Sequence, residues 1–583
     1  MNARWRFSGP ELNFYNAELL LPGEGGGAFA ADEVNIGVAL TRLLFDRRLV
    51  VDRVLIRDSS VAVQKDSEGQ WRVQGIALDT LSSRFASERS EGEVTIIAED
   101  FNVTYVHPPN GRAISFQIAN LRMTRTPQRI DVETLLELPA ELGNRLSAHI
   151  SAESGAQGGD TIWSYSVDTR GLNLAGWSSL QPEGMPELLG GTADLSLSME
   201  RVGNILRNAV VDFDVSELQS GPDFVPVGAQ GQFEYRNDAA GWMLVADEFR
   251  LRSERGVWPE TTFNVQGADD SNGDLDSISA TVSYLDLDDL SALLPWIPER
   301  YAAELLRFNP SGRVTNLTLS LAGMSSPSSR YDIALELADA GMRSTERLPG
   351  MRGFTGSLRA NRSGGRLEID SSNVQLDLSR WLQSPVSLDS AEGTVIWRRN
   401  ASGIIVLSDS VQVDSRDLSS RSSVQLSLPA DGSAPVLDLE SHWSIFDLGD
   451  ARRYLPANLI EPGLYRWLNG ALLAGSVPAG TTRFSGALDK FPFDDGEGVF
   501  RIEAELKDAT LRYSELWPDA EIESLNLIVD RTRLYSDKNT AVNAGNSVVD
   551  ARIEIADLRD PVLTIDAFST GTLGSIRQFA QRS

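Results

Sequence analysis

The sequence has no cysteine among its 583 residues and only three histidines. Without cysteine there is no disulfide bond, thiolate metal site or cysteine nucleophile, which suits an oxidising compartment. His107, His149 and His442 are isolated from one another and predict no local metal motif. Because a Lys-Ser/Thr phosphate loop and a Gly-x-Ser-x-Gly elbow are also missing, we predict no catalytic residue, no metal, no cofactor and no enzyme activity.

Positive charge and long apolar runs are also scarce. The chain has 53 Lys and Arg against 82 Asp and Glu, a formal net charge of −29, which repels phosphate backbones and argues against nucleic acid as a partner. No apolar run approaches the roughly 20 residues that span a bilayer, and Met1 leads directly into a strand-like pattern. If the protein is held at a membrane, we expect its anchor to lie outside this sequence.

The sequence is rich in alternation of apolar and polar residues, a period of two that places successive side chains on opposite faces of a strand. Turn-forming clusters such as 400–403 and 430–432 separate the alternating segments. The predicted fold class is therefore mainly β, a long twisted antiparallel sheet with a few short interrupting helices. The candidate apolar-face residues are Leu195, Leu197, Met199, Leu317, Leu319, Leu321, Ile333, Leu335, Leu337, Leu367, Ile369, Leu376, Leu378, Val424, Leu426, Leu428, Leu525, Leu527 and Val529.

Helical spacing occurs in few places. One block covers 290–306, where Asp288 or Asp289 is a plausible N-cap. A second block begins at Glu461-Pro462, a common opening of a helix, and is predicted to end near Gly475. These helices are expected to interrupt the sheet.

The two helical blocks match each other in sequence, which indicates an internal repeat of about 160 residues. Asp286, Leu287 and Asp289 correspond to Asp447, Leu448 and Asp450 without gaps, and Gly312 corresponds to Gly475. We predict a β-groove segment at 1–170, a repeat at 171–284, helix-initiated repeats at 285–445 and 446–566, and the start of a further truncated repeat at 567–583. We expect the sequence to be part of a longer protein.

A sheet with one apolar face must cover that face, curl around it or fill it with ligand. The helices are too few to form a second layer, which leaves two interpretations. The alternating residues form either the dry cores of several β-sandwiches or an elongated groove that takes acyl chains. The predicted lining is aliphatic and offers dispersion contacts with little discrimination between lipid headgroups.

The most specific pattern lies between 464 and 529. It consists of Trp467-Leu468, Gly475, Gly486, Phe491-Pro492-Phe493, Gly496, Gly498, Tyr513 and Trp517-Pro518. Together with the Leu-Asp-Leu stretch at 285–287 and its counterpart at 446–456, this pattern resembles the YhdP branch of the AsmA-like envelope proteins.

The resemblance implies a repeating β-groove in the periplasm of Gram-negative bacteria, tethered to the inner membrane by an N-terminal helix missing from this chain. The implied function is passive transport of phospholipid between the inner and outer membranes. Expected partners are phospholipid acyl chains, both membranes through parts absent here, and other envelope proteins. Two alternatives stay open: an envelope scaffold or assembly factor for outer-membrane proteins, which would hold clients at strand edges, and an adhesin-like stack of β-sandwiches.

Overall fold

Strands dominate the computed structural model, which confirms the mainly β fold class. The structure describes residues 1–583 apart from 7–8, 21–27, 66–70, 74–75, 78–92, 107–112, 155–159, 179, 182–184, 271–272, 298, 325, 327–328, 346–347, 381, 459 and 583. It divides into two units, Met1–Leu275 with Asp289–Ile297, and Asp276–Asp288 with Pro298–Ser583. The five-segment division made from the sequence stays a prediction.

Among the described residues, the first unit consists of strands, most of them long, and three short α-helices. The strands are β1 (Asn2–Arg6), β2 (Gly9–Leu20), β3 (Ala28–Val38), β4 (Val51–Lys65), β5 (Trp71–Val73), β6 (Ile76–Ala77), β7 (Val94–Val106), β8 (Ala113–Arg125), β9 (Arg129–Glu137), β10 (Arg145–Glu153), β11 (Ile162–Asn173), β12 (Gly190–Val202), β13 (Ile205–Gln219), β14 (Val227–Asp238), β15 (Gly241–Ser253), β16 (Gly256–Val257) and β17 (Thr261–Asp269). The helices are α1 (Leu40–Phe45), α2 (Leu174–Ser178) and α3 (Leu290–Leu293).

The second unit is likewise built from strands with a few short helices between them. Its strands are β18 (Leu275–Asp286), β19 (Ser311–Ala322), β20 (Arg330–Met342), β21 (Gly350–Asn361), β22 (Gly364–Asp377), β23 (Val386–Asn400), β24 (Gly403–Asp414), β25 (Leu418–Pro429), β26 (Val436–Ile445), β27 (Leu472–Ala487), β28 (Val499–Leu511), β29 (Ala520–Asp530), β30 (Arg533–Asn543), β31 (Asn546–Ile555) and β32 (Leu563–Thr570). The helices are α4 (Glu299–Phe308), α5 (Pro462–Ala471) and α6 (Leu573–Arg582).

Strand pairing follows chain order. From β18 to β32, every strand of the second unit pairs antiparallel with the next one, so consecutive strands stay in one sheet. This pairing excludes a stack of β-sandwiches in that unit. Among its described strands, the first unit departs from the predicted succession of antiparallel hairpins where β4 and β7 pair in parallel. Parallel neighbours need a long connection, and the chain between these strands is long enough to supply it.

Many strands bend partway along their length. The bend lies at a register shift where one residue adopts the left-handed conformation, as at Asn316 in β19 and Asp339 in β20. Lys538 in β30 and Asp550 in β31 repeat the pattern. Asn and Asp tolerate this conformation better than most residues, and such bulges bend a strand and increase its twist. Each bulged strand therefore consists of two segments, one on either side of the bulge, which are called its arms below.

The two buried apolar clusters of the second unit lie mainly on the arm next to the connecting helices. The first core cluster contains Val374, Leu382, Val386, Leu388 and Ala391. The second contains Leu448, Val477, Ala504, Leu506, Ala509, Ala520, Ile522 and Leu525. Tyr454 packs against the first cluster, and Leu448 brings the connecting segment into the second. These contacts cover the apolar face of the arm next to the connecting helices.

The helices lie close to their predicted positions. In α5 the Glu461 side chain accepts a hydrogen bond from the Leu464 amide at 2.9 Å, the expected capping geometry at a Pro-led first turn, although the helix ends at Ala471 rather than near Gly475. Of the two predicted caps at α3, Asp288 accepts a hydrogen bond from the Gly312 amide at 2.9 Å, and Asp289 makes no side-chain capping bond at the helix. It accepts instead from the Trp258 indole at 2.8 Å. No helix in the described ranges is long and apolar enough to cross a bilayer.

The internal repeat has a structural counterpart. Asp289 lies 3.9 Å from Arg255, and about 160 residues later Asp450 pairs with Arg416. Gly312 and Gly475 both have positive φ, and a side chain at either position would clash with the backbone of the adjacent strand. The sequence match therefore reflects a shared junction between helix and sheet.

A buried carboxylate fastens the second junction to the sheet. The Asp417 side chain is 1% exposed and accepts hydrogen bonds from the Arg453 guanidinium at 2.6 Å and from the Tyr454 and Ser415 hydroxyls, both at 3.1 Å. Burial alone would raise the pKa of Asp417, but these donors outweigh it and hold the pKa below its ordinary value. The network ties 450–454 to the start of β25.

We predict that Asp417→Asn loosens this junction by roughly 2 to 3 kcal/mol. Removing one partner of a fully buried pair costs about 3 to 5 kcal/mol, and the 43% exposure of Arg453 reduces that figure. Because the folded pKa lies below the unfolded value of about 3.9, the carboxylate contributes its full stability above that value and loses it as the pH falls further. Hydrogen exchange of peptides from 415–455 should accelerate in the variant at pH 7.

Asp450→Asn is the matched control, since Asp450 pairs with Arg416 at the surface. It should change exchange by less than about 1 kcal/mol. In the unaltered protein, 415–455 should also open as the pH falls below about 4. The pH dependence should be smaller in Asp417→Asn, where only other carboxylates such as Asp414 and Asp431, whose pKa values are also lowered, still titrate. Equal effects of the two substitutions would contradict the assignment of Asp417 as the fastening group.

Candidate functional site

Strand register brings many of the predicted apolar residues of the second unit into rows. Leu319 of β19 lies opposite Ala280 of β18 and Ile333 of β20. Farther along the sheet, Leu367 of β22 lies opposite Val395 of β23. Directly opposed side chains on one face are close enough to touch. Apolar side chains therefore follow one another from strand to strand.

The row continues toward β32. Leu426 of β25 lies between Val406 of β24 and Leu437 of β26. Val529 of β29 then lies opposite Ile502 of β28, and both are half-buried. The apolar face thus runs across the second unit without leaving the sheet.

The predicted residues divide by burial into two groups. The arm away from the connecting helices holds half-buried side chains, among them Leu319, Ile333, Leu367 and Leu426. The other half-buried members are Leu317, Leu321, Leu335, Leu337, Val424 and Val529, and Leu428 is 37% exposed. Such partly exposed apolar side chains in a continuous row form a surface to which a ligand can add dispersion contacts.

Other predicted residues belong to internal packing. Ile369, Leu376 and Leu378 pack against the first core cluster. Leu525 is 2% exposed within the second cluster, and Leu527 packs against it. The sequence pattern alone does not distinguish these positions, because both arms of a bent strand keep the same alternation.

The predicted residues of the first unit lie beside aromatic rings. Leu195 of β12 faces Phe213 of β13, which stacks on Phe233 with ring centroids 5.3 Å apart. Phe249 continues the cluster, 6.0 Å from Phe233 and 5.2 Å from Phe263. Leu197 and Met199 share this face and are half-buried. The apolar face of these strands therefore contains aromatic rings beside the predicted aliphatic side chains.

A second aromatic group explains several motif residues. Phe484 of β27 lies opposite Phe500 of β28, and Phe491 lies 5.1 Å from Phe500. Phe493 is fully buried, and side chains added at Gly486 or Gly498 would collide with its ring at about 2.5 Å. The Phe-Pro-Phe segment and these glycines are thus parts of one packing arrangement. Alternation of Phe484 and Phe500 with polar neighbours was the signal that could have placed them on this face.

The apolar face is partly covered where α5 and α6 lie over the strands from β27 to β32. There it forms a cavity of about 710 Å³. Trp467 and Leu468 line it from α5, and Ile576 and Phe579 from α6. The remaining lining residues are Ala471, Leu472, Leu506, Leu511, Tyr513, Ser514, Trp517, Ala520, Ile522, Leu525, Leu527, Leu534, Ala541, Asn543, Asn546, Val548, Ala551, Ile553, Leu563, Ile565, Ala567 and Ser569. None of these described residues carries a formal charge.

One end of the cavity is polar and structurally fixed. The Asn543 side-chain amide donates to the Tyr513 hydroxyl at 2.9 Å and to the Pro518 carbonyl at 3.1 Å. Ser575 of α6 donates to Asn546 at 2.7 Å, and Phe579 meets Trp517 edge to face at 5.1 Å. Burial raises the pKa of the Tyr513 hydroxyl, which is therefore protonated at neutral pH. Helix α6 is held to the sheet at this end.

Charged side chains occupy the opposite face of the strands. Arg366 pairs with Glu368 at 2.8 Å and Arg501 with Glu503 at 2.6 Å, each on alternate positions of one strand. His442 lies 3.6 Å from Glu440 and is exposed, His149 lies 3.5 Å from Asp131, and His107 falls outside the described residues. Within the described part of the chain, no group of acidic or histidine side chains is arranged to hold a metal ion.

Comparison with known proteins agrees with the family resemblance. The family model described as YhdP protein matches residues 1–583. The Escherichia coli (strain K12) protein named intermembrane phospholipid transporter YhdP is 21% identical over 558 residues, covering 90% of this chain and 42% of that protein. This chain thus spans less than half the length of that relative. Because the family model matches the whole sequence, the chain belongs to the YhdP family.

Proposed function

We propose that this chain is a section of a passive conduit that carries phospholipid between the inner and outer membranes of a Gram-negative envelope. The observation that carries the proposal is the half-buried apolar row that follows the strand register across the second unit, with Leu319 and Leu426 on it. The name of the Escherichia coli relative supports phospholipid as the cargo.

The energetics of an apolar face suit a conduit. An acyl chain gains about 0.8 kcal/mol for each methylene removed from water, whether it enters a bilayer or an apolar groove. Transfer between the two can then be nearly isoenergetic. A row without charged side chains offers no fixed point that would hold the phosphate, so a headgroup would stay in water while the chains move.

The remaining features of the proposal follow from this role. The protein acts without enzyme chemistry and without a cofactor, its location is the periplasm, and a helix preceding this section tethers it to the inner membrane. Its partners are phospholipid acyl chains and the two membranes, reached through other parts of the protein, with other envelope proteins as further contacts. Nucleic acid is not a partner, since the net charge of −29 opposes it.

Photo-crosslinking and native mass spectrometry test the proposal directly. A photoreactive amino acid is placed at Leu319 or Leu426 in protein purified from bacterial envelopes, and crosslinked lipid is identified by mass. We expect phospholipid adducts at both positions and co-purifying phospholipid in the native spectrum. Protein clients without lipid at both positions would favour a scaffold for outer-membrane proteins and contradict the conduit.

A charged side chain on the apolar row should prevent acyl chains from binding there. We predict that Leu319→Asp or Leu426→Asp reduces lipid adducts at the neighbouring reporter position at least tenfold, because burying a carboxylate against acyl chains is strongly unfavourable. Thr318→Asp and Gln425→Asp are matched controls, since these neighbours are exposed on the opposite face. They should leave adduct formation unchanged. Circular dichroism confirms that each variant is folded, and equal adduct yields in the two sets would remove these leucines from the proposed path.

A further inference from the structure

The connection between β3 and β4, residues 39–50, differs in charge from the rest of the chain and is called the basic loop below. Its charged residues are Arg42, Arg47, Arg48 and Asp46, so three arginines against one aspartate give it a formal charge of +2, although the whole chain carries −29. Arg42 pairs with Asp46 at 2.7 Å within α1. At physiological salt, charges more than about 8 Å away are largely screened. A partner at the loop therefore meets its local positive charge.

The basic loop also exposes large apolar side chains. Leu44 is 63% exposed, Phe45 83% and Leu49 73%, and they are interspersed with the arginines. Single exposed apolar side chains are common on protein surfaces, whereas a group of them marks an interaction site. Arginines mixed with Leu and Phe are typical of segments that lie at the surface of an anionic bilayer.

The backbone of the basic loop is held in a defined conformation. The Ala39 amide donates to the Val50 carbonyl at 2.9 Å and closes the base of the loop, and the Arg48 amide donates to the Arg42 carbonyl at 3.2 Å. Arg47 adopts the left-handed conformation, with a φ of 53°. Glycine or asparagine adopts that conformation at less cost, and residues strained in this way cluster at functional positions. An arginine at this position is explained if its charge takes part in binding.

The end of β1 lies beside the basic loop. A side chain at Gly9, the first residue of β2, would collide with the Val38 carbonyl at the start of the loop, so the two connections are in close contact. Trp5 of β1 pairs with Pro10 next to this point and is 68% exposed. Tryptophan is enriched where proteins meet the headgroup region of a bilayer.

The small size of the basic loop favours a bilayer over a protein as its partner. A stable protein interface uses about 20 to 30 residues on each side, and the basic loop has twelve. An anionic bilayer binds shorter segments, because each arginine near its surface strengthens binding about fivefold and each buried apolar side chain adds to this.

We propose that the basic loop docks this section of the protein on the surface of an anionic phospholipid bilayer. The arginines meet lipid phosphates, and Leu44, Phe45 and Leu49 enter the boundary between headgroups and acyl chains. The inference goes beyond the proposed function, in which the membranes are reached through other parts of the protein, because it gives this section a membrane contact of its own.

Vesicle flotation with the full chain tests the proposal. Vesicles of phosphatidylethanolamine and phosphatidylglycerol supply the anionic surface, and phosphatidylcholine vesicles supply a neutral one. We expect at least tenfold stronger binding to the anionic vesicles, and a loss of this preference at about 1 M salt, where the Debye length is about 3 Å. Equal binding to both kinds of vesicle, or binding to neither, would overturn the proposal.

Charge reversal on the loop tests the role of the arginines. Arg47→Glu combined with Arg48→Glu should weaken binding to the anionic vesicles at least tenfold. The matched control is Arg398→Glu combined with Arg399→Glu, an adjacent and equally exposed pair in the second unit, which should leave binding unchanged. Equal losses in the two double variants would show a general effect of net charge and contradict docking by the loop.

Removal of the exposed ring tests the apolar contact. Phe45→Ser should weaken binding to the anionic vesicles about tenfold. Phe568→Ser, which removes a ring that is 71% exposed on β32, is the control and should have no effect. A photoreactive amino acid at Phe45 should give phospholipid adducts in bacterial envelopes. Protein adducts without lipid would assign the loop to a protein partner and overturn the proposal.

Leu319→Asp distinguishes this contact from the proposed conduit. Docking by the basic loop predicts that the variant floats with anionic vesicles as the unaltered protein does. Flotation that is lost in Leu319→Asp but kept in Phe45→Ser would place the vesicle contact at the apolar row and refute docking by the loop. Flotation that persists while lipid adducts are missing at Leu319 and Leu426 would instead contradict the conduit and leave the docking loop intact.

Discussion

An antiparallel sheet with an apolar face in water is unstable unless that face is covered, and this constraint governs the rest of the molecule. The two arms of the bent strands meet it differently. On one arm, connecting segments and helices press Leu448 and Tyr454 onto the strands and form dry clusters. On the other arm the apolar row is only half-buried, and its remaining exposure leaves it available to acyl chains in the proposed conduit.

Polar groups are arranged so that they do not interrupt that face. Ion pairs such as Arg366 with Glu368 lie on the opposite side of the strands. Asp417 is buried, but four hydrogen bonds from three side chains compensate its charge. Asn543 differs from both, because its oxygen is buried without compensation.

Much of the fold could be predicted because alternation is a strong and local signal. The strands, the single apolar face and the helix opening at Glu461 follow from side-chain period and capping chemistry. The bulges could not be located so easily, since an Asn or Asp within a strand, such as Asn316, reads as one more polar residue. Asp289 was mistaken for a cap because its true donor, the Trp258 indole, is distant in sequence. The cavity escaped prediction for the same reason, as α5 and α6 come together only through the sheet.

The chain-order pairing of β18 to β32 also determines how such a protein can change size. Each added hairpin supplies two strands and widens the sheet by about 10 Å, at the usual spacing of about 4.8 Å between strands. Because the two strands of a hairpin run in opposite directions, the chain ends at the same edge of the sheet at which the hairpin began. Every later strand therefore keeps its direction, and its apolar side chains stay on the same face. A duplication of whole hairpins therefore lengthens the sheet without changing the character of its apolar face. Two sheets built in this way can therefore differ in length by an even number of strands.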